Sequence, residues 1–95
     1  MTVEWSPQAK IDFWNNINYL EAEWGEQVTA NFIEAVENTI GLILEGNVSF
    51  RKTDYLDVLQ VVVVKQITLF YSINDKNIRL LRFWNNYQDY KGIHL

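Results

Sequence analysis

Ninety-five residues leave room for one domain, spanning residues 1–95, and not for two cores. Apolar residues make up 48% and proline occurs once, which argues for a compact globule rather than disorder. The absence of cysteine excludes a disulfide framework, a thiol nucleophile and a thiolate metal site. The net charge of −4 conceals an asymmetry: residues 1–47 carry eight acids against Lys10 alone (−7), and residues 48–95 carry seven bases against four acids (+3). An acidic whole disfavours unspecific binding to nucleic acid, but a basic rim in the second half is compatible with it. "MTVEWSPQAK" has no basic segment leading into an apolar core, so no signal peptide is expected. Gln60, Lys65 and Gln66 interrupt "VLQVVVVKQITLFYSI", so no membrane helix is expected either, and the chain reads as cytoplasmic.

In chain order, "TVEW" alternates and is β-prone, a first strand. Ser6-Pro7 reads as a helix N-cap followed by proline in the first turn. Ala9, Phe13, Ile17, Leu20 and Trp24 then recur at spacings of three and four, and Gly25 is placed to end that helix. Val28, Phe32, Ala35 or Val36, Ile40 and Ile43 repeat the pattern up to Gly46. So short a link predicts an antiparallel helical hairpin. Gly41 inside the second helix costs about 1 kcal/mol relative to alanine, which suggests a close helix contact.

Residues 47–57, "NVSFRKTDYLD", read as irregular and carry Arg51 and Lys52. Three strands follow. "VLQVVVVK" is almost wholly apolar and is expected in a central position with both faces covered. "ITLFYSI" sets Ile67, Leu69, Tyr71 and Ile73 on one face, and Thr68, Phe70 and Ser72 on the other. After the turn "NDKN", "IRLLRFW" alternates Ile78, Leu80, Arg82 and Trp84 against Arg79, Leu81 and Phe83. The expected class is α+β: β-α-α-β-β-β, an antiparallel sheet, first strand beside the meander, packed against a helical hairpin. A hairpin covers only one face of such a sheet, yet the strands are apolar on both, which points to a surface for a partner.

The residues offer little familiar chemistry. His94 is the only histidine and stands next to the C-terminus, so no Ser–His–Asp arrangement can be built. Glu21, Glu23 and Glu26 have no histidine partner and read as a solvated face; no metal or cofactor is expected, and no glycine-rich phosphate loop occurs. What remains is basic and aromatic: Arg51, Lys52, Arg79, Arg82, Tyr87, Tyr90 and Lys91. Such a set can stabilise charge on a phosphate during metal-free RNA cleavage, or can anchor a protein interface.

"VEWSPQAKIDFWNNINYLEAEWG" resembles the opening strand and first helix of the RelE/ParE toxin superfamily, and "ITLFYSINDKNIRLLRFWNNYQDY" resembles its closing hairpin and polar tail. The resemblance covers nearly the whole chain, and the element order is similar to the family's plan. It implies the toxin of a type II toxin–antitoxin pair, neutralised by a cognate antitoxin. The family's action divides. ParE-like members inhibit DNA gyrase; RelE-like members cut mRNA on the ribosome. For the second action the resemblance points to Arg51, Lys52, Arg82 and Tyr87. Many relatives carry asparagine–arginine after "FW", whereas here Asn86 is followed by Tyr87, and the strongly basic surface of the ribosome-dependent nucleases is missing. Both departures favour the ParE-like branch, or a weakened toxin, over an efficient mRNA endonuclease. The expected antitoxin surface is Arg79, Leu80, Leu81, Arg82, Phe83, Trp84, Asn85, Asn86 and Gln88, with arginines facing acids of the partner and amides bonding an added extended segment.

Overall fold

The computed structural model of the chain describes residues 2–46, 51–75 and 77–87. Its elements run β1 (Thr2–Trp5), α1 (Pro7–Trp24), α2 (Glu26–Glu45), β2 (Arg51–Lys52), β3 (Leu59–Val64), β4 (Ile67–Ile73) and β5 (Asn77–Asn85). The caps follow the sequence. Ser6 Oγ accepts from the Ala9 N–H at 3.0 Å with Pro7 behind it. Gly25 (φ 92°) and Gly46 (φ 75°) take positive φ at the two helix ends, where a side chain would be strained.

The sheet order is β1-β5-β4-β3-β2. From β2 to β5 every pair is antiparallel, as the short links require. β1 adds a parallel pair, Thr2 beside Asn77 through Trp5 beside Leu80, so the five-stranded sheet is mixed. The meander leaves the outer side of β5 open, and the long path through the hairpin returns the chain there with β1 running alongside. β2 is a two-residue strand, too short to carry a periodic signal.

α1 and α2 cover one face of the sheet. Leu20, Phe32, Val36 and Ile43 meet Ile67, Leu69, Tyr71, Ile78, Leu80 and Phe83 in the main core. The expectation for "VLQVVVVK" holds for position and is corrected for cover: β3 is an inner strand, paired with β4 and with the two-residue β2, but it is half-exposed, with Val62 62% exposed, and the buried strands are β4 and β5. Valine is β-prone and apolar wherever it stands in a sheet, so a run of it does not report that both faces are covered. Gly41 is a second correction. A Cβ built there meets nothing within 4 Å, so no close contact among the described residues explains it.

One bulge decides the faces of β5. Phe70 pairs with Arg82 but Tyr71 pairs with Leu80, which leaves Leu81 as the extra residue. Ile78 and Leu80 point to the hairpin before the bulge, and Phe83 does so after it. Strict alternation therefore fails: Leu80 and Trp84 do not share a face. On the side away from the helices Val58, Phe70 and Trp84 form a small second core with Leu81 against it. No helix among the described residues is long and apolar enough to cross a membrane.

Candidate functional site

The open face of the sheet carries a cross-strand row. Arg51 pairs with Gln60, Gln60 with Phe70, and Phe70 with Arg82, so these four side chains lie on one side across four strands. Three strand spacings separate the arginine backbones by roughly 14 Å. Lys52 is in the next row, with Leu59, Tyr71 and Leu80, and so belongs to the opposite side of the sheet.

Arg82 is held at the outer edge of β5, beyond the end of β1. Its Nε donates to Asp12 Oδ2 at 2.6 Å and its Nη2 to Asp12 Oδ1 at 3.2 Å. The same carboxylate accepts from the Phe83 N–H at 3.1 Å and from Gln8 Nε2 at 3.1 Å. Four donors thus fill its acceptor sites, and both partners of the ion pair are largely buried. Asn16, one turn further along α1, donates to the Phe83 carbonyl at 2.8 Å. Ser6 donates its N–H to the Leu80 carbonyl and its hydroxyl to that of Leu81. Side chains and backbone at the start of α1 therefore occupy the strand edge that β1 leaves open, which protects it from pairing with another chain. A polar notch of about 250 Å³ lies beside this edge, lined by Gln8, Asn15, Tyr19 and Asn85 among others.

Tyr87 belongs to a different cluster. Its ring stacks on Trp24 at the end of α1, with centroids 6.2 Å apart and planes 12° from parallel, and Lys65 Nζ stands 4.9 Å from the Trp24 ring. Asn86 fixes the tail beneath it: its N–H donates to the Gln66 carbonyl, its Nδ2 to the Lys65 carbonyl, and its Oδ1 accepts from Thr68. Asn85 Oδ1 accepts from the Tyr87 N–H. The two amides thus serve the chain's own turn.

The residues named for a nuclease accordingly fall into three places: Arg51 and Arg82 on the open face, Lys52 on the other, Tyr87 against α1. A cavity of about 480 Å³ formed by the 52–59 loop and Ile73 includes Lys52 and none of the other three. Of the expected antitoxin surface, Leu80 and Phe83 are core residues, 0% and 2% exposed, and Trp84 and Asn85 are buried as well. That corrects their assignment to the surface: the bulge at Leu81 turns both Leu80 and Phe83 to the hairpin, and Trp84 is covered on the open face by Val58 and Phe70. Arg79, beside Glu4 in an exposed ion pair, Leu81 and Asn86 are accessible. Gln88, Tyr90, Lys91 and His94 lie outside the described residues.

Sequence reasoning missed Asp12 and Asn16. Their signal was available: polar residues four apart, between Ala9 and Leu20 on the stripe that packs inward. Deeper in the core, burial pushes the Tyr71 phenol above its ordinary 10.0, and among the described residues its hydroxyl has no hydrogen-bond partner. Glu21, Glu23 and Glu26 are exposed, and no group of three potential metal ligands occurs among the described residues.

The family model for the ParE toxin of type II toxin–antitoxin system, parDE, matches residues 3–90. The chain belongs to the ParE toxin family. No curated protein sequence matches it. Among solved structures, the chromosomal ParDE system of P. aeruginosa is similar at a TM-score of 0.73 and 12% identity, over 90% of this chain and 95% of that one. The YoeB dimer of Staphylococcus aureus gives 0.62 and 13%, over 92% and 98%. The DinJ–YafQ complex of E. coli gives 0.58 and 13%, over 87% and 90%. The ParE-family chain is a type II toxin of ParE/RelE-like fold, as the sequence resemblance implies.

Proposed function

We propose that this toxin acts by binding and inhibiting a target such as DNA gyrase, and that a cognate antitoxin neutralises it. The observation that carries the reading is the closure of Arg82 by Asp12. A guanidinium paired twice with a buried carboxylate has its charge compensated within the chain, which is poor preparation for a developing phosphate charge. Tyr87, stacked on Trp24 on the hairpin side, is not positioned to move a proton on the open face. Purified toxin at micromolar concentration should inhibit gyrase supercoiling or trap cleaved DNA; untouched gyrase would sink the reading. Arg51 and Arg82 do share one face, and this favours a ribosome-dependent mRNA endonuclease as the second reading. Codon-phased message ends on induction would support it, whereas intact messages with DNA-damage signalling support the binder.

For the antitoxin, the YoeB–YefM and DinJ–YafQ complexes supply precedent for a toxin of this fold held by its partner. The accessible part of β5 is the proposed contact: Arg79 and Leu81 on the open face and Asn86 at its end. Arg79→Glu with Leu81→Ser should weaken antitoxin binding by at least about tenfold, roughly 1.4 kcal/mol. Unchanged affinity of the folded double variant would move the interface elsewhere.

A further inference from the structure

Two amides beside β5 each commit one half to the chain and leave the other half open. Asn16 and Asn85 are both 6% exposed, and both line the polar notch of about 250 Å³. Asn16 Nδ2 donates to the Phe83 carbonyl at 2.8 Å, and Asn85 Oδ1 accepts from the Tyr87 N–H at 2.9 Å. A carbonyl can only accept and a peptide N–H can only donate, so these bonds fix how each amide is turned. That leaves Asn16 Oδ1 as an acceptor and Asn85 Nδ2 as a donor, each without a hydrogen-bond partner among the described residues. Unlike the Tyr71 hydroxyl, neither atom is sealed from outside, so both open on the notch. A buried side chain with half of its amide unanswered is prepared for something the chain does not supply.

The walls narrow down what that is. Arg82 and Asp12 are paired with each other, and every other lining side chain is neutral. An ion entering would give up its hydration and meet no spare counter-charge, so the notch selects a neutral molecule. Tyr19, half-buried on the same wall, accepts from Trp24 Nε1 at 3.5 Å and keeps its own O–H to donate. At about 30 Å³ per water the notch has the room of about eight waters, enough for one small ring. Phe83 and Asn85 are two strand residues apart, about 7 Å, so such a ring can meet both amides. Asn85 pairs with Ile67 of the main core and Asn16 stands on α1, so neither amide belongs to the open face. The inference therefore holds whichever target the toxin meets.

We propose that the notch binds a small neutral molecule bearing an amide, whose C=O accepts from Asn85 Nδ2 and whose N–H donates to Asn16 Oδ1. A primary carboxamide and the lactam edge of a pyrimidine share that chemistry, and the test separates them. The full chain, isotope-labelled, is titrated by NMR with nicotinamide and with uracil. N,N-dimethylnicotinamide and uracil methylated at both ring nitrogens, which lack the amide N–H, serve as controls. At least one parent compound should bind with a millimolar or lower dissociation constant and shift the resonances of Asn16 and Asn85. Its methylated form should bind at least about tenfold more weakly. Nicotinamide alone assigns a carboxamide, and uracil alone a lactam. Asn85→Asp keeps the acceptor for Tyr87 and removes the donor, so it should weaken binding at least about tenfold. Gln27→Ala, on α2 and outside the notch, should change it less than about twofold. If Asn85→Asp does not fold, Tyr19→Phe takes its place: it removes one hydroxyl, and should weaken binding at least about threefold at an unchanged thermal midpoint. Binding of neither parent compound, or equal binding of parent and methylated forms, overturns the proposal. So does unchanged affinity in the folded Asn85→Asp variant or, where that variant does not fold, in Tyr19→Phe.

Discussion

The two halves of β5 use the same residue type in opposite ways. Before the bulge the strand is zipped to β1, and Arg79 pairs with Glu4 in the open, with side chains 43% and 53% exposed. After the bulge β1 has ended, and Arg82 pairs with Asp12 where the exposures are 13% and 9%. In the first half the backbone ladder holds the strand and the ion pair adds little, because water screens it and two long side chains lose freedom. In the second half the ion pair is part of the edge itself, since the carboxylate that holds the guanidinium also accepts the Phe83 N–H. An arginine on a strand therefore says nothing of its worth until its edge is known.

The sharpest way to break the contrast is Asp12→Ala. It leaves a buried guanidinium and a strand N–H without their acceptor, and should cost about 3–5 kcal/mol in urea unfolding. Asp12→Asn keeps an acceptor for Phe83 and should recover part of the loss. A cost for Asp12→Ala no larger than for an exposed pair would erase the distinction between the halves. Asn16→Ala removes the other partner of Phe83 and should cost about 1–2 kcal/mol by the same measurement.

Tyr71, beside the bulge, sharpens the comparison from the core side. Its raised phenol pKa means that burial favours the neutral form in the folded state. The contribution is full below the unfolded value of 10.0 and is lost as pH rises through the higher folded value, so stability should decline on the alkaline side of pH 10. Tyr71→Phe should reduce that decline and, by removing a buried hydroxyl, leave stability at pH 7 within about 1 kcal/mol of the parent. The same alkaline slope in both proteins would discount Tyr71 as its source. Smallest of all, Arg79→Ala should shift stability by at most about 0.5 kcal/mol, and less at high salt. A larger shift in thermal unfolding would give the exposed pair a role that its solvation denies it.

The sequence by itself determined the elements and their ends. The three- and four-residue apolar spacing, Ser6-Pro7, Gly25 and Gly46 specify two helices, and the valine run of 61–64 with the two-residue alternation from Ile67 onward specifies the meander, because these signals act between neighbours along the chain. The family, too, was legible in that pattern. Tertiary structure alone decided the rest. That β1 lies parallel to β5, that β3 is left half-exposed, and that Leu81 is an extra residue in its strand all depend on partners far away in sequence. The bulge matters most, since one unpaired residue exchanges the faces of everything after it and so turns both Leu80 and Phe83 toward the hairpin, while Trp84 stays on the open face and is buried there by Val58 and Phe70. The candidate site followed the same rule. Arg51, Arg82 and Tyr87 could be named from their chemistry, but Asp12, 70 residues from Arg82, determines what that arginine is available to do.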